Sequence, residues 1–116
     1  MLLDKSAIFN ADDSKTEDIE IPEWGGTVRV KAMTYAQRTK YLNSITKDEN
    51  GEVNDNNIMA KLVIASVIDE NGNYMFSNGD MNQLTKKNSS IIDRIGLVAT
   101  NLAGLKQEKE EDAVKN

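Results

Sequence analysis

The four-residue run aspartate-glutamate-asparagine-glycine occurs twice, at residues 48–51 and 69–72, and its oxygen-rich side chains could bind a metal ion. Clustered carboxylate and amide oxygens are the ligands that Ca²⁺ prefers. A calcium-binding loop, however, needs ligands at positions 1, 3 and 5, glycine at position 6 and glutamate at position 12. Glycine stands at position 4 of both runs. We therefore interpret both as plain turns, in which glycine supplies a positive φ angle.

The sequence lacks residue types that catalytic sites commonly use. The sequence has no cysteine and no histidine, which removes thiol nucleophiles, disulfides, the commonest general base and the commonest transition-metal ligand. Its 19 acidic residues make chance carboxylate pairs inevitable, and no pair is marked out for acid–base work. Gly25-Gly26 lacks the spacing and the following lysine of a phosphate-binding loop. We predict a protein that is not an enzyme, with no catalytic residue, no metal site and no cofactor.

Charge and hydropathy narrow the range of partners. The 116-residue chain carries a net charge of −5, which disfavours nucleic acid and anionic membranes as partners. Residues 27–47 contain five bases and no acid, but no aromatic residues alternate with the bases as in a nucleic-acid surface. The longest apolar run, Leu62–Ala65, is too short to span a bilayer, and the first residues do not resemble a signal peptide. We expect a cytoplasmic protein that binds neither nucleic acid nor membranes.

The elements that would position any functional residue begin with an arm and a hairpin. Residues 1–17 are acidic and predict a flexible arm, in which residues 6–10 could form one helical turn. Residues 18–33 alternate apolar and polar side chains, as in a β-hairpin with one buried face. Gly25 and Gly26 are expected to adopt the positive φ angles of the turn, and Pro22 suits a strand end.

Four helices are predicted after the hairpin. The first begins at Thr34, where Gln37 completes a capping box, and ends near Thr46. The second begins at Asp55 or Asn56 and runs to residue 68, with a strand as the alternative over residues 62–68. Residues 74–76 predict a short extended piece. Residues 77–80 form a second capping box, opening a helix to about residue 86, and the last helix follows from residue 88 and ends at Gly104.

These elements predict an α+β, mainly α, fold in one small domain. The domain covers residues 18–105, with the N-terminal hairpin followed by about four helices. Residues 106–116 are rich in charge and poor in apolar side chains, so we expect a disordered tail.

The candidate partner-binding residues are apolar. Trp24, the sole tryptophan, either packs over the core as a lid, which we favour, or anchors a partner. A helical stripe is more often core than interface, but a domain this small cannot easily bury every apolar face. The stripe of the last helix consists of Ile91, Ile95, Val98 and Leu102.

Two stretches of the sequence resemble a known family. Residues 8–13 read Ile-Phe-Asn-Ala-Asp-Asp, and residues 19–30 contain Ile-Pro-Glu-Trp-Gly-Gly between alternating strands. This opening resembles the phage tail assembly chaperones of Gram-positive siphophages and prophages, which share an acidic arm, an Ala-Asp-Asp step and a Val-Pro-Glu-Trp-Gly-Gly hairpin. Ile21 replaces the valine of that pattern. The likeness extends over roughly residues 6–105, through Val67–Gly72 and the last helix.

The resemblance implies a non-enzymatic chaperone of tail assembly. Such proteins keep the long, largely helical tape measure protein soluble while the tail tube assembles around it. The implied partners are therefore the tape measure protein and, as a further candidate, the tail tube protein, and self-association is left open. Such a chaperone is not expected in the mature virion. Two alternatives are a structural virion or head–tail connector component and a small acidic regulatory protein.

Overall fold

The computed structural model of the chain describes residues 1–105. The elements follow in the order helix α1 (Lys5–Asn10), strands β1 (Thr16–Ile21) and β2 (Gly26–Lys31), helices α2 (Tyr35–Ser44) and α3 (Ile58–Ser66), strand β3 (Val67–Ile68), and helices α4 (Met81–Leu84) and α5 (Ser89–Leu102). The predicted α+β class, with an early hairpin and four helices after it, is confirmed. The tail predicted for residues 106–116 lies outside the described residues.

The hairpin pairs β1 with β2 in antiparallel register, with Ile19 opposite Val28. Its connection is a single 3-10 turn over Pro22–Trp24, closed by Gly25 with a φ of 75°. Gly26 is the first residue of β2 and does not have a positive φ, so the expectation of two left-handed glycines was wrong for Gly26. One left-handed residue is enough because the 3-10 turn already reverses most of the chain.

A third strand completes the sheet in the order β1-β2-β3. Helix α3 ends at Ser66, and the chain continues in extended form as β3, with Val67 opposite Val30 in β2. The alternative of a strand over residues 62–68 is thus correct for the last two residues. The predicted extended piece is confirmed, because the N–H of Met75 donates to the carbonyl of Val67 at 3.0 Å.

Helix ends follow the capping predictions in most places. The hydroxyl of Thr34 accepts from the N–H of Gln37, whose amide oxygen accepts from the N–H of Thr34. The first residue before α3 is Asn57, and its side chain makes no cap, so the expected cap at Asp55 or Asn56 was wrong. Helix α5 ends at Leu102, and Gly104 follows its cap residue with a φ of 69°, which is the left-handed glycine predicted for this helix end.

The core lies where α3 and α5 pack against each other and against the sheet. Its most buried large side chains are Ile21, Leu62, Ile95, Val30, Val63 and Val67. A Cβ atom at Gly96 of α5 would lie 2.5 Å from the sulfur of Met59. Glycine at this position therefore allows α3 and α5 to approach closely.

The helical turn that the sequence allowed within residues 6–10 is present as α1 (Lys5–Asn10). Every residue of α1 is exposed, and its N-terminus is capped by the carboxylate of Asp4, which accepts from the N–H of Ala7 at 2.8 Å. The division of the chain into a flexible arm, a domain and a tail stays a prediction.

Candidate partner-binding groove

An apolar groove of about 580 Å³ opens between the hairpin and the segment that follows β3. Its walls include Trp24, Val28, Met75 and Phe76, and the side chains of Val63 and Ile95 reach it from the core. Trp24 is 41% exposed and Met75 is 51% exposed. Large apolar side chains that stay this exposed, next to one another and lining a cavity, are typical of a surface that binds another molecule.

Two local structures position the groove walls. The 3-10 turn of the hairpin holds Trp24 between Pro22, which limits the backbone angles, and the left-handed Gly25. On the other side, the turn at residues 69–72 reverses the chain so that Tyr74 pairs with Ile68. This pairing places Met75 and Phe76 beside the sheet.

The charged groups along the groove are mostly acidic. The carboxylate of Asp18 accepts two hydrogen bonds from the guanidinium of Arg29, at 2.7 and 3.0 Å, and this pairing lowers the pKa of Asp18. Asp69 and the exposed Glu70 also line the groove, and Arg29, the basic residue of this lining, is paired with Asp18. Three acids against one base give the lining a net charge of −2.

Trp24 does not pack over the core as a lid. It forms a wall of the groove, and its 41% exposure shows that the favoured interpretation as a core residue was wrong. Helix α5 contacts the hairpin turn through the ion pair of Arg94 with Glu23, at 2.8 Å, but the neighbouring Trp24 keeps a large exposed fraction. Contact of Trp24 with a partner stays a prediction.

The predicted stripe of α5 is divided between core and periphery. Ile91 and Ile95 are 3% and 1% exposed, so a partner could not reach them without displacing the core. Val98 and Leu102 are half-buried and pack at the edge of the core. The structure therefore does not bring the stripe together with Trp24 on one surface, except for the reach of Ile95 into the groove. A role of these residues in partner binding stays a prediction.

The groove residues that the sequence analysis missed follow the second turn and the hairpin. Val28 was assigned to the buried face of the hairpin, and Met75 and Phe76 were assigned to an extended piece without a role. A signal was present, because three large apolar residues in succession after a turn exceed what a short edge segment can bury. Trp24, in the opposite wall of the groove, lies about 50 residues earlier in the sequence, so the periodicity of either segment could not reveal the groove.

A cluster of polar contacts holds the loop between α2 and α3. The ammonium of Lys61 donates to the carboxylate of Asp55 and to the carbonyl of Ser44, both at 2.6 Å, and the N–H of Thr46 donates to the same carboxylate. These hydrogen bonds, led by that of Lys61, lower the pKa of Asp55 to about 2. An ionised carboxylate that accepts from three donors, the side chain of Lys61 and the N–H groups of Thr46 and Asn57, serves to anchor the loop rather than to transfer protons.

The shifted carboxyl groups do not provide acid catalysis. The pKa values of Asp12, Asp18, Glu23 and Asp55 are all lowered, mainly by hydrogen bonds that stabilise the charged form. A general acid at neutral pH needs the opposite shift. Within residues 1–105, no group of three acidic side chains is arranged to hold a metal ion.

The basic residues of 27–47 have partners within the chain at two positions. Arg29 pairs with Asp18, and the guanidinium of Arg38 lies over the ring of Tyr35, 5.9 Å from its centroid. Both basic side chains thus interact with other residues of the chain.

The structure thus combines a small α+β domain with an open apolar groove. The sequence matches the phage tail assembly chaperone family over residues 3–116, and the chain belongs to that family. The predicted resemblance is thus confirmed. The family acts on tail proteins during assembly, a non-catalytic role, whereas the Gram-positive siphophage origin stays a prediction.

The fold is also found in a solved structure, that of the bacteriophage HK97 tail assembly chaperone. The two chains superpose with a TM-score of 0.56 at 15% sequence identity, over 77% of this chain and 85% of that chain. At this identity the likeness concerns the fold. Among curated proteins, no sequence matches significantly. None of the helices in residues 1–105 has both the length and the apolar character needed to cross a membrane.

Proposed function

We propose that this tail assembly chaperone binds segments of the tape measure protein in the groove and keeps that protein soluble in the host cytoplasm. It acts without catalysis and is absent from the finished virion. The observation that carries the proposal is the apolar groove with Trp24 and Met75 exposed along it, in a chain of the tail assembly chaperone family.

The groove suits a client that exposes apolar side chains before assembly. An amphipathic segment gains free energy when its apolar face leaves water, and an open apolar groove accepts such a face without a preformed deep pocket. The net charge of −5 opposes association between loaded complexes and so favours their solubility. Both properties support a holding role.

The test is co-expression with the tape measure protein of the same phage, followed by affinity purification. Met75→Asp places a charge in the groove at a residue that is 51% exposed, and Leu97→Asp places the same charge on α5 at a residue that is 44% exposed and outside the groove lining. We expect the wild type and the Leu97 variant to keep the tape measure protein soluble and to co-elute with it. The Met75 variant should lose both activities.

Circular dichroism of the two variants serves as the folding control, because both substituted side chains are exposed. An insoluble tape measure protein in the presence of the wild type would contradict the function. Equal activity of both variants would place the client elsewhere on the surface. Mass spectrometry of purified virions provides a further check, since a stoichiometric amount of this chain in finished particles would favour the structural alternative.

A further inference from the structure

The groove combines an apolar surface with an acidic lining, and this combination restricts the chemistry of its occupant. Asp18 is neutralised by Arg29, but Asp69 and Glu70 lie at the other wall, at the turn that precedes Met75 and Phe76. The carboxylate of Asp69 has its Oδ1 atom occupied by the N–H groups of Asn71 and Asn73. Glu70 is exposed. In the described part of the chain, the side-chain hydrogen bonds of this turn are made by Asp69 and not by Glu70.

We propose that the groove selects an apolar segment flanked by lysine or arginine. This inference rests on the proposed function and specifies which parts of a client bind. The apolar side chains of the segment enter between Trp24 and Phe76, and a basic residue next to them lies near Asp69 and Glu70. Complementary charge at the edge of an apolar contact adds selectivity and speeds association.

The same charges argue against the arm of a second copy as the occupant. The arm has exposed apolar residues, including Ile8 at 55% and Phe9 at 77%. Residues 1–13 carry three aspartates and one lysine, so the arm has the same sign of charge as the groove lining. Like charges would face each other on docking, and the apolar gain would be reduced.

Peptide binding tests the inference directly. Three fluorescently labelled peptides share one amphipathic apolar core and differ in their flanks, which are lysine, glutamine or glutamate. Binding is measured by fluorescence anisotropy, and the emission of Trp24, the sole tryptophan, reports whether the groove is occupied. We expect the lysine-flanked peptide to bind about 10-fold more tightly than the glutamate-flanked peptide at low salt, with the neutral peptide between them. High salt should remove most of this difference.

A matched pair of variants locates the effect. Glu70→Gln removes a charge from the groove lining, and Glu49→Gln removes the equivalent charge from the other aspartate-glutamate-asparagine-glycine turn, which is outside the lining. Glu70→Gln should reduce the preference for the lysine-flanked peptide by about 2- to 3-fold. Glu49→Gln should leave it unchanged.

The outcomes separate this inference from the proposed function. Equal affinity for all three peptides, with a change in Trp24 emission, would overturn the charge selectivity and leave groove binding intact. Binding of none of them would count against both. A peptide of residues 1–13 that binds more tightly than the lysine-flanked peptide would make the arm of another copy the occupant and would overturn the inference.

Discussion

The turns at residues 48–51 and 69–72 have the same four residues and the same internal hydrogen bonds, but different surroundings. In the first turn, the Oδ1 atom of Asp48 accepts from the N–H groups of Asn50 and Glu52, both at 2.9 Å. In the second, the Oδ1 atom of Asp69 accepts from the residues two and four positions later, at 2.9 and 3.0 Å. The local sequence therefore produces the same turn twice.

The two glycines also share a conformation. Gly51 has a φ of 79° and Gly72 has a φ of 85°, and each turn is closed by one antiparallel bridge between its flanking residues. In both turns, backbone N–H groups hold the Oδ1 atom of the aspartate, so the turn closes through its own hydrogen bonds.

The surroundings differ in the kind of interaction that holds each turn. Val53, which flanks the first turn, is 56% exposed, and its loop is attached to α3 by the ion pair of Asp55 with Lys61. Ile68, which flanks the second turn, is 5% exposed and belongs to β3 in the sheet. Polar contacts thus hold the first turn, whereas apolar packing holds the second and makes it part of the groove. Identical turns acquire different roles from their flanks.

Truncation of the flanking side chains should give the largest contrast between the turns. We expect Ile68→Ala to lower the free energy of unfolding by about 2–5 kcal/mol, because a buried side chain is replaced by a cavity. Val53→Ala should lower it by less than about 0.5 kcal/mol, because Val53 is mostly exposed. Urea denaturation of both variants measures the difference. Similar losses would show that the first turn also contributes to the core.

Acid should loosen the first turn by a mechanism that the second lacks. Because the folded-state pKa of Asp55 is lowered from 3.8 to about 2, its contribution to stability is complete above the unfolded value and is lost as the pH falls towards about 2. The full contribution is about 2 kcal/mol. Hydrogen-exchange protection of Gly51 should therefore decrease in acid, and Asp55→Asn should abolish that pH dependence.

The groove turn provides the internal control for this acid effect. Gly72 belongs to a turn held by the sheet and the core, so its protection should change less than that of Gly51 between pH about 5 and pH about 2. A parallel decrease at both glycines would indicate global acid unfolding, and the assignment to Asp55 would then fail.

Substitution of the two turn glycines should affect both turns equally. Gly51→Ala and Gly72→Ala each place a Cβ in open space, with no atom within 4 Å, so the cost comes from the left-handed backbone. We expect each variant to lose about 1–2 kcal/mol. Thermal unfolding measures this. A difference greater than about 1 kcal/mol would mean that the surroundings constrain one turn more strongly than its own sequence does.

The smallest effect concerns the exposed glutamates of the two turns. Glu49→Gln and Glu70→Gln should each change the free energy of unfolding by less than about 0.5 kcal/mol, since both side chains are exposed. Only the second should change client binding, because Glu70 lines the groove. A matching loss of binding in both variants would indicate an effect of net charge rather than of position.

Features set by neighbours in sequence could be predicted well. The hairpin, the capping box of Thr34 with Gln37 and the helix end at Gly104 each depend on a few adjacent residues. The start of α3 at Ile58 could not be predicted. The Oδ2 atom of Asp55 accepts from Lys61 and Thr46, while its Oδ1 atom accepts from the N–H of Asn57. The contact with Thr46 comes from a residue nine positions earlier, so local patterns do not show it.

The groove could not be derived from the sequence, although one of its walls was singled out. Trp24 stands out as the sole tryptophan, but its exposure depends on how the hairpin turn packs against distant segments. Residues 67 and 68 form β3 instead of continuing the predicted helix because they pair with β2. This pairing brings the second turn close to the hairpin. Contacts between distant segments create the groove, and local patterns carry no record of them.

Strand β1 has a further consequence for the resistance of the chain itself to aggregation. In the described part of the chain, β1 pairs on one side with β2, and three of its six residues are acidic: Glu17, Asp18 and Glu20. A second strand of the same kind at this edge would bring its carboxylates close to these, which opposes growth of the sheet into fibrils. The chain thus carries at its own sheet edge a barrier to polymerisation.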